Sequence, residues 1–305
     1  MKRVVITILT FNSSEETVTC LESLTKIDRK NIDLEIIVLD NDAKEHPFHL
    51  PKALKDMNIH CLVSPENLGF SGGHNFAMKF GQKFNPDYFL ILNNDTIVDR
   101  NFLQELLLTA EHTRVGAVSP KIYFTAGSEY HKERYTKVER GKVFWYAGGI
   151  MDWANVVASH RGVDEVDHGQ YDMQEETDIA TGCCLLIKKE VIEKVGMYDE
   201  RYFLYYEDND LSQRTVKAGF TLIYQPKAVI WHRNAASAGG SGSALQDYYI
   251  TRNRLLFGMR YAPLRAKVAL LRESIQLYFH GRKWQKKGVI DFYMGTFGKG
   301  SYANI

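Results

Sequence analysis

Through the first hundred residues, nearly continuous apolar runs alternate with stretches whose apolar positions repeat at helical spacing. VVITILTF (4–11) and LEIIVLDN (34–41) are rich in β-branched residues and almost free of alternation, the pattern of parallel strands covered on both faces. Between them Val18, Leu21 and Leu24 predict a helix over 14–24, with Ser13 or Ser14 as its N-cap. HCLVSP (60–65) reads as a third strand, 73–84 as a helix, and YFLILNND (88–95) as a fourth strand that ends in polar residues. Polar residues at the carboxyl ends of parallel strands are where open α/β sheets bind ligands.

The pattern then breaks. From about 123 to 178 glycines, charges and aromatics mix, and EYHKERYTKVERGK reads as a solvated, mobile excursion such as an insertion or lid. Order returns with a strand at 183–187 running into a helix that stops near Gly196. A second short helix spans 211–219, and FTLIYQP and AVIWH read as the final strands. The small-residue run at 235–244 predicts a flexible loop. Beyond it, Leu264, Val268, Leu271, Ile275 and Tyr278 fall on one helical face, with Arg265 and Arg272 off it. The expected organisation is therefore a domain over 1–237, divided near residue 100 into two halves, and a basic helical appendage over 238–305.

Composition narrows the class. The 305 residues are 45% hydrophobic and 25% charged, which excludes a fibrous or largely disordered chain. Cys20, Cys61, Cys183 and Cys184 are too few and too scattered for a disulfide framework and form no C-x-x-C pair. No apolar stretch is long enough to span a bilayer, and the first residues read as a buried strand rather than a signal peptide, so a reducing cytoplasm is expected. The formal net charge of +1 hides an asymmetry: residues 250–305 carry eleven basic side chains against two acidic ones. Such a segment on an acidic body points to an anionic partner.

Four polar clusters stand at strand ends, each weak alone. Thr10 and Asn12 lie with Asp40 after the first two strands, where an aspartate can hold a base or ribose or simply cap a turn. Asn67, Gly69, Gly73 and Asn75 form a glycine loop before a helix, able to approach a phosphate and equally able to be a turn. It does not follow the first strand and is not G-x-G-x-x-G, which argues against a nicotinamide site. Asn93, Asn94 and Asp95 suit magnesium or manganese completed by a diphosphate, or an ordinary Asn-Asp turn. Finally Tyr206, Glu207 and Asp208 crowd carboxylates against aromatics ahead of a helix, with His232 a strand later. Crowding of that kind raises a carboxyl pKa toward that of a general base, while acids before a helix also simply complement its dipole.

Taken in order, ITILTFN, IIVLDND, NLGFSGGHN, ILNNDT, TGCCLLIKKEVIEKVGMYDERYFLYYEDNDLSQR and IWHRNAAS resemble the family 2 inverting glycosyltransferases of GT-A fold, in particular their rhamnosyltransferase-like branch. The resemblance covers residues 4–237. It implies a Rossmann-like mixed α/β sheet flanked by helices, with a nucleotide-sugar-binding half up to about residue 100 and an acceptor-binding half over about 101–237. It also implies that Asp40, Thr10 and Asn12 line the base pocket, with Asn67, Gly69, Gly73, Asn75 and Asn94 near the ribose and diphosphate. Asp95 matches the last residue of the family's D-x-D metal motif; Asn93 stands where that motif begins with Asp, leaving fewer charges on the cation. His232 matches the histidine that completes the metal site, and Asp208 the catalytic base, with Glu207 a neighbour of undivided role. Arg252 or Arg254 could add charge near the diphosphate or serve helix packing equally well.

The implied donor is a dTDP- or UDP-sugar, rhamnose or another hexose, and the implied acceptor a glycan or polyprenyl-diphosphate-linked glycan. Trp145, Tyr206 and Glu207 are the expected acceptor-side residues. A catalytically silent binding relative and a nucleotidyltransferase are the rival readings; TFNSSEE lacks the basic glycine-rich loop of the latter. The basic tail either lies on an anionic inner membrane face or packs its apolar stripe on the domain or a second subunit. Nucleic acid fits poorly, because no recognition module is evident.

Overall fold

The structure, a computed structural model, describes residues 1–42, 47–55, 57–233 and 242–304. Its strands are β1 (Lys2–Thr10), β2 (Ile32–Asn41), β3 (Ile59–Ser64), β4 (Tyr88–Asn93), β5 (Thr96–Val98), β6 (Val115–Phe124), β7 (Phe144–Tyr146), β8 (Gly149–Asp152), β9 (Val157–His160), β10 (Glu175–Glu176), β11 (Cys184–Lys188) and β12 (Thr221–His232). Its helices are α1 (Ser14–Leu24), α2 (Gly69–Gly81), α3 (Phe102–Ala110), α4 (Lys189–Val195), α5 (Glu207–Lys217), α6 (Ala244–Tyr261), α7 (Leu264–His280) and α8 (Lys283–Tyr293). The main sheet runs β10-β12-β6-β11-β4-β1-β2-β3, with β5 added on β12 and β7 on β6; β8 and β9 form a separate hairpin.

Alternate residues of the central strands feed two cores. Val4, Ile6 and Ile8 pack with Cys20, Leu21 and Leu24 of α1 and with Phe102, Leu103 and Leu106 of α3. Val5, Ile37 and Phe89 pack with Ala77 and Met78 of α2, Val191 of α4 and Leu211 of α5 on the opposite face. This double cover explains why β1 and β2 show no polar alternation. A third cluster joins Tyr202 and Tyr206 to Leu255, Phe257 and Leu270 of the C-terminal helices.

Several elements differ from the sequence expectation, each for a physical reason. The helix expected at 73 begins at Gly69, and its first N–H groups are already taken: Phe70 and Ser71 both donate to the carbonyl of Phe203 (2.7 and 3.3 Å). The two final strands are one strand, β12, in which Pro226, Lys227 and Ala228 are extra relative to β6, so that Gln225 pairs Pro120 and Val229 pairs Lys121. Pro226 has no N–H to give the ladder, and a bulge absorbs it.

The expected excursion at 123–178 is folded. Val143, Phe144 and Tyr146 enter the core, Lys121 and Tyr123 bind Asp167, and Glu129 accepts the N–H groups of Gly127 (2.8 Å) and Gly141 (2.9 Å). Of the expected loop at 235–244, residues 235–241 lie outside the described residues. Among the described residues no helix is long and apolar enough to cross a membrane.

Candidate active site at the strand ends

β1, β2 and β4 are parallel, with Thr10 beside Asp40 and Leu9 beside Asn93, so the polar residues that end them share one edge of the sheet. β11 is antiparallel and begins at that edge, Cys184 beside Leu92. β12 ends there too, with His232 opposite Thr96 of β5.

On the β2 side, Asp40 is buried and its Oδ2 accepts the Phe48 N–H at 2.6 Å. Asn41, next to Asp40 and given no role by the sequence, organises the glycine loop: its Oδ1 accepts the Leu68 N–H (2.9 Å) and its Nδ2 donates to the carbonyl of Gly69 (3.1 Å) and Oδ1 of Asn67 (3.3 Å). Asn67 in turn accepts the Gly69 N–H at 2.8 Å. Gly69 has φ +70° and presses on the ring and carbonyl of Phe203, where a Cβ would lie 2.5 Å from both, so no other residue fits without displacing that loop. Gly73 faces the sheet, its absent side chain occupied by Leu9. Asn75 clamps the backbone of Tyr198, donating to its carbonyl (2.9 Å) and accepting its N–H (3.0 Å). Asn94 ties β4 to α1 through Ser13 Oγ (2.6 Å) and Thr17 Oγ1 (2.9 Å). Asn67, Asn75 and Asn94 thus shape this edge by binding the chain itself.

At the centre, Asp95 Oδ1 lies 3.1 Å from His232 Nε2. The two are also joined through the backbone, the Arg233 N–H donating to the Asp95 carbonyl at 2.8 Å. Trp145 stands edge-on to His232 (centroids 4.5 Å) and to His160 (4.3 Å). Burial lowers the His160 pKa to about 4, and its Nδ1 contacts the Trp145 carbonyl at 3.1 Å. Asp95 opens onto a cavity of about 380 Å³ lined also by Glu16, Thr125, Gly127 and Arg233.

A divalent cation fits this donor set in part. A carboxylate and an imidazole nitrogen converge, and the other ring nitrogen of His232, Nδ1, is buried without a hydrogen-bond partner. Among the described residues no third His, Cys, Asp or Glu joins them, so a cation here would draw its remaining ligands from bound phosphate or water.

The second carboxylate station is built differently. Phe203, Tyr205 and Tyr206 have φ of 65°, 68° and 71°, a left-handed conformation that costs a bulky L-residue about 1–2 kcal/mol each. The loop is held by the C-terminal helices. Asn253 of α6, fully buried, donates from Nδ2 to the carbonyls of Tyr202, Leu204 and Tyr205, each at 2.8 Å. Arg252, equally buried, donates to the carbonyls of Arg201 (3.1 Å), Tyr202 (3.0 Å) and Gly298 (2.7 Å). The structure therefore places Arg252 in the loop's support and does not bring it to the strand-end cluster. Arg254 binds the Asn155 carbonyl and Glu273.

This loop delivers Glu207 and Asp208 to the first turn of α5. Glu207 is buried, with Oε2 unpartnered, and burial followed by the adjacent Asp208 charge pushes its pKa well above the ordinary range. Asp208 keeps part of its surface accessible; burial raises its pKa too, opposed by the N–H groups of Gly182 (3.3 Å) and Asn209 (2.8 Å). The Tyr206 ring points away into the third core cluster, its hydroxyl on the Val156 carbonyl (2.9 Å).

Two consecutive residues couple the stations. Gly182 N–H donates to Asp208, and the next carbonyl, of Cys183, accepts the Asn93 N–H (2.9 Å) at the end of β4. The structure thus brings Asp95, His232, Trp145 and Asp208 to one edge. The signal that could have exposed Asn253 is its position: a poor helix former in the middle of a long helix.

The family described as Glycosyl transferase family 2 matches residues 5–196. This chain belongs to that family. The N-acetylglucosaminyl-diphospho-decaprenol L-rhamnosyltransferase of Mycobacterium tuberculosis is 28% identical over 195 residues, covering 60% of this chain and 61% of that protein. The low-salt glycan biosynthesis hexosyltransferase Agl10 of Haloferax volcanii is 24% identical over 223 residues, covering 73% and 66%. The match thus spans just under two thirds of either relative. Among solved structures, the mannosyltransferase PcManGT of Pyrobaculum calidifontis, in complex with GDP-Man and Mn2+, aligns over 96% of this chain and 74% of its own, with a TM-score of 0.54 at 15% identity. The family 2 chain accordingly has the GT-A fold, and a rhamnosyltransferase is among the relatives it resembles.

Proposed function

We propose that this family 2 protein transfers a sugar, rhamnose or another hexose, from a dTDP- or UDP-sugar to a glycan carried on a polyprenyl diphosphate, with inversion at the anomeric carbon. The carrying observation is the joining of Asp208 to the Asp95 edge through Gly182 and Cys183. In this reading Asp208 takes the proton of the acceptor hydroxyl as that oxygen attacks the anomeric carbon, and the nucleoside diphosphate departs with the bonding electrons. The raised pKa of Asp208 makes it a stronger base than an exposed aspartate, and its accessible edge admits the acceptor, whereas Glu207 is buried.

Asp95 and His232 are the residues that would hold magnesium or manganese; such a cation would neutralise charge on the leaving diphosphate. Thr10, Asn12 and Asp40 would line the base pocket and Trp145 the acceptor side. The family membership and the relatives' names support a lipid-linked acceptor, and with it a reaction at the cytoplasmic face of a membrane.

The test is product analysis with a panel of nucleotide sugars. Release of nucleoside diphosphate that depends on acceptor, and that Asp208→Asn slows by about a hundredfold or more while calorimetric diphosphate binding persists, is expected. Binding without release from any donor would favour a silent relative, and pyrophosphate release a nucleotidyltransferase.

A further inference from the structure

The apolar stripe of α7 faces outward. Leu264 is 78% exposed, Ile275 57% and Phe279 62%, with Val268 and Tyr278 also open. The inward face is made of Ala266, Leu270 and Ser274, all buried, and Gly258 of α6 leaves the space that Leu270 fills. Packing of the stripe on the domain, the alternative left open by the sequence, is thereby removed. The exposed face continues onto the last helix through Ile290, Tyr293 and Met294, the last 75% exposed. Between the two helices runs an apolar groove of about 410 Å³ lined by Ile275, Tyr278, Phe279, Ile290, Tyr293 and Met294.

Charge is sorted around this face. At 3.6 residues per turn, Arg265 and Arg272 border the stripe on one side and Lys267 on the other. The acids of this unit are all consumed internally: Glu273 by Arg254 (2.7 Å), Asp247 by Arg282 (2.6 Å), and Asp291 by Tyr248 and Ser301. Among the described residues no acidic partner engages Arg265, Lys267, Arg272 or Lys286. An exposed apolar face rimmed by cations, with its acids paired within the protein, complements an anionic lipid surface, where apolar side chains enter the acyl boundary and lysines and arginines meet phosphates. A second copy of the chain would bring the same cations against each other.

We propose that α7 and α8 form a monotopic docking face for an anionic bilayer, the α7 stripe lying in the membrane interface and the groove taking a lipid acyl chain. This deepens the proposed function by giving the lipid-linked acceptor a shared surface, but it is tested without the transfer reaction, so either can fail alone.

The experiment is co-sedimentation of the full chain with phosphatidylcholine vesicles, with and without phosphatidylglycerol, at low and high salt. Binding to the phosphatidylglycerol vesicles, weakened by salt, is expected. Ile275→Ser with Phe279→Ser removes it, and Arg265→Gln with Arg272→Gln weakens it about tenfold or more. All four side chains are exposed, so circular dichroism should report unchanged folding. No binding to phosphatidylglycerol vesicles, or binding that the serine pair leaves intact, overturns the proposal. So does light scattering that gives a dimer dissolved by the serine pair.

Discussion

Asp95 and Asp208 occupy the same edge of the sheet and owe their positions to opposite kinds of structure. Asp95 follows β4 directly and pairs with a histidine one strand-end away, so the backbone ladders of β4, β5 and β12 fix it. Asp208 hangs on a loop with three left-handed aromatic residues, which no ladder supports and which Arg252 and Asn253 hold from α6. A site can thus draw one group from the rigid sheet and another from a strained segment whose cost is offset elsewhere. The helices after residue 243 accordingly belong to the support of the candidate base.

The sharpest way to separate the stations is to remove each carboxylate. Asp208→Asn should lower the transfer rate by about a hundred- to ten-thousandfold, the range for a positioned general base, with little change in diphosphate affinity by calorimetry. Asp95→Ala should instead weaken manganese-dependent diphosphate binding by about tenfold or more. If the two variants show the same defect, the division of labour is wrong.

The support itself is broken by Asn253→Ala. The carbonyls of Leu204 and Tyr205 lose their donor, while that of Tyr202 keeps Arg252 and the Leu204 N–H, so unfolding in urea should show a loss of about 1–3 kcal/mol, and kcat should fall with donor affinity preserved because the sheet-held station is untouched. A smaller effect comes from Glu207→Gln. The folded pKa of Glu207 is raised, so the protein loses stability as pH rises from the ordinary glutamate range through the folded value. The glutamine variant should match the parent near pH 4 and melt higher near pH 8. His74 and His160 act with the other sign. Burial lowers them to about 3 and about 4, so the unfolded chain binds more protons below about pH 6.5, and stability should fall on acidification by about 1.4 kcal/mol per pH unit for each.

How much of the molecule was legible divides in the same way. The βαβ opening and the polar strand ends are written in local patterns, so Thr10, Asp40, Asn93 and Asp95 could be placed from the sequence. The support of the 202–208 loop could not, because Asn253 lies more than forty residues downstream and its task is to meet carbonyls, which carry no residue code. The α7 stripe is visible in the sequence as one face of a helix, yet periodicity does not tell which face meets the protein. Small residues, Ala266 and Ser274, took the inner side. The folding of the 123–178 segment was hidden for a related reason: polar partners such as Lys121 and Asp167, or Glu129 and Gly141, look like solvated residues until they meet.

The bulge in β12 sets the phase of the strand's last residues. Pro226, Lys227 and Ala228 are its three extra residues, and Val229 to His232 pair with Lys121 to Phe124 beyond them; because side chains alternate between faces, a one-residue slip of that paired stretch would turn His232 from Asp95 and bring Arg233 into its place. A point substitution there would be read locally. Such a slip would exchange an imidazole for a guanidinium at the strand end with no residue of the chain altered, and the bulge is where the strand can take up a residue gained or lost without it.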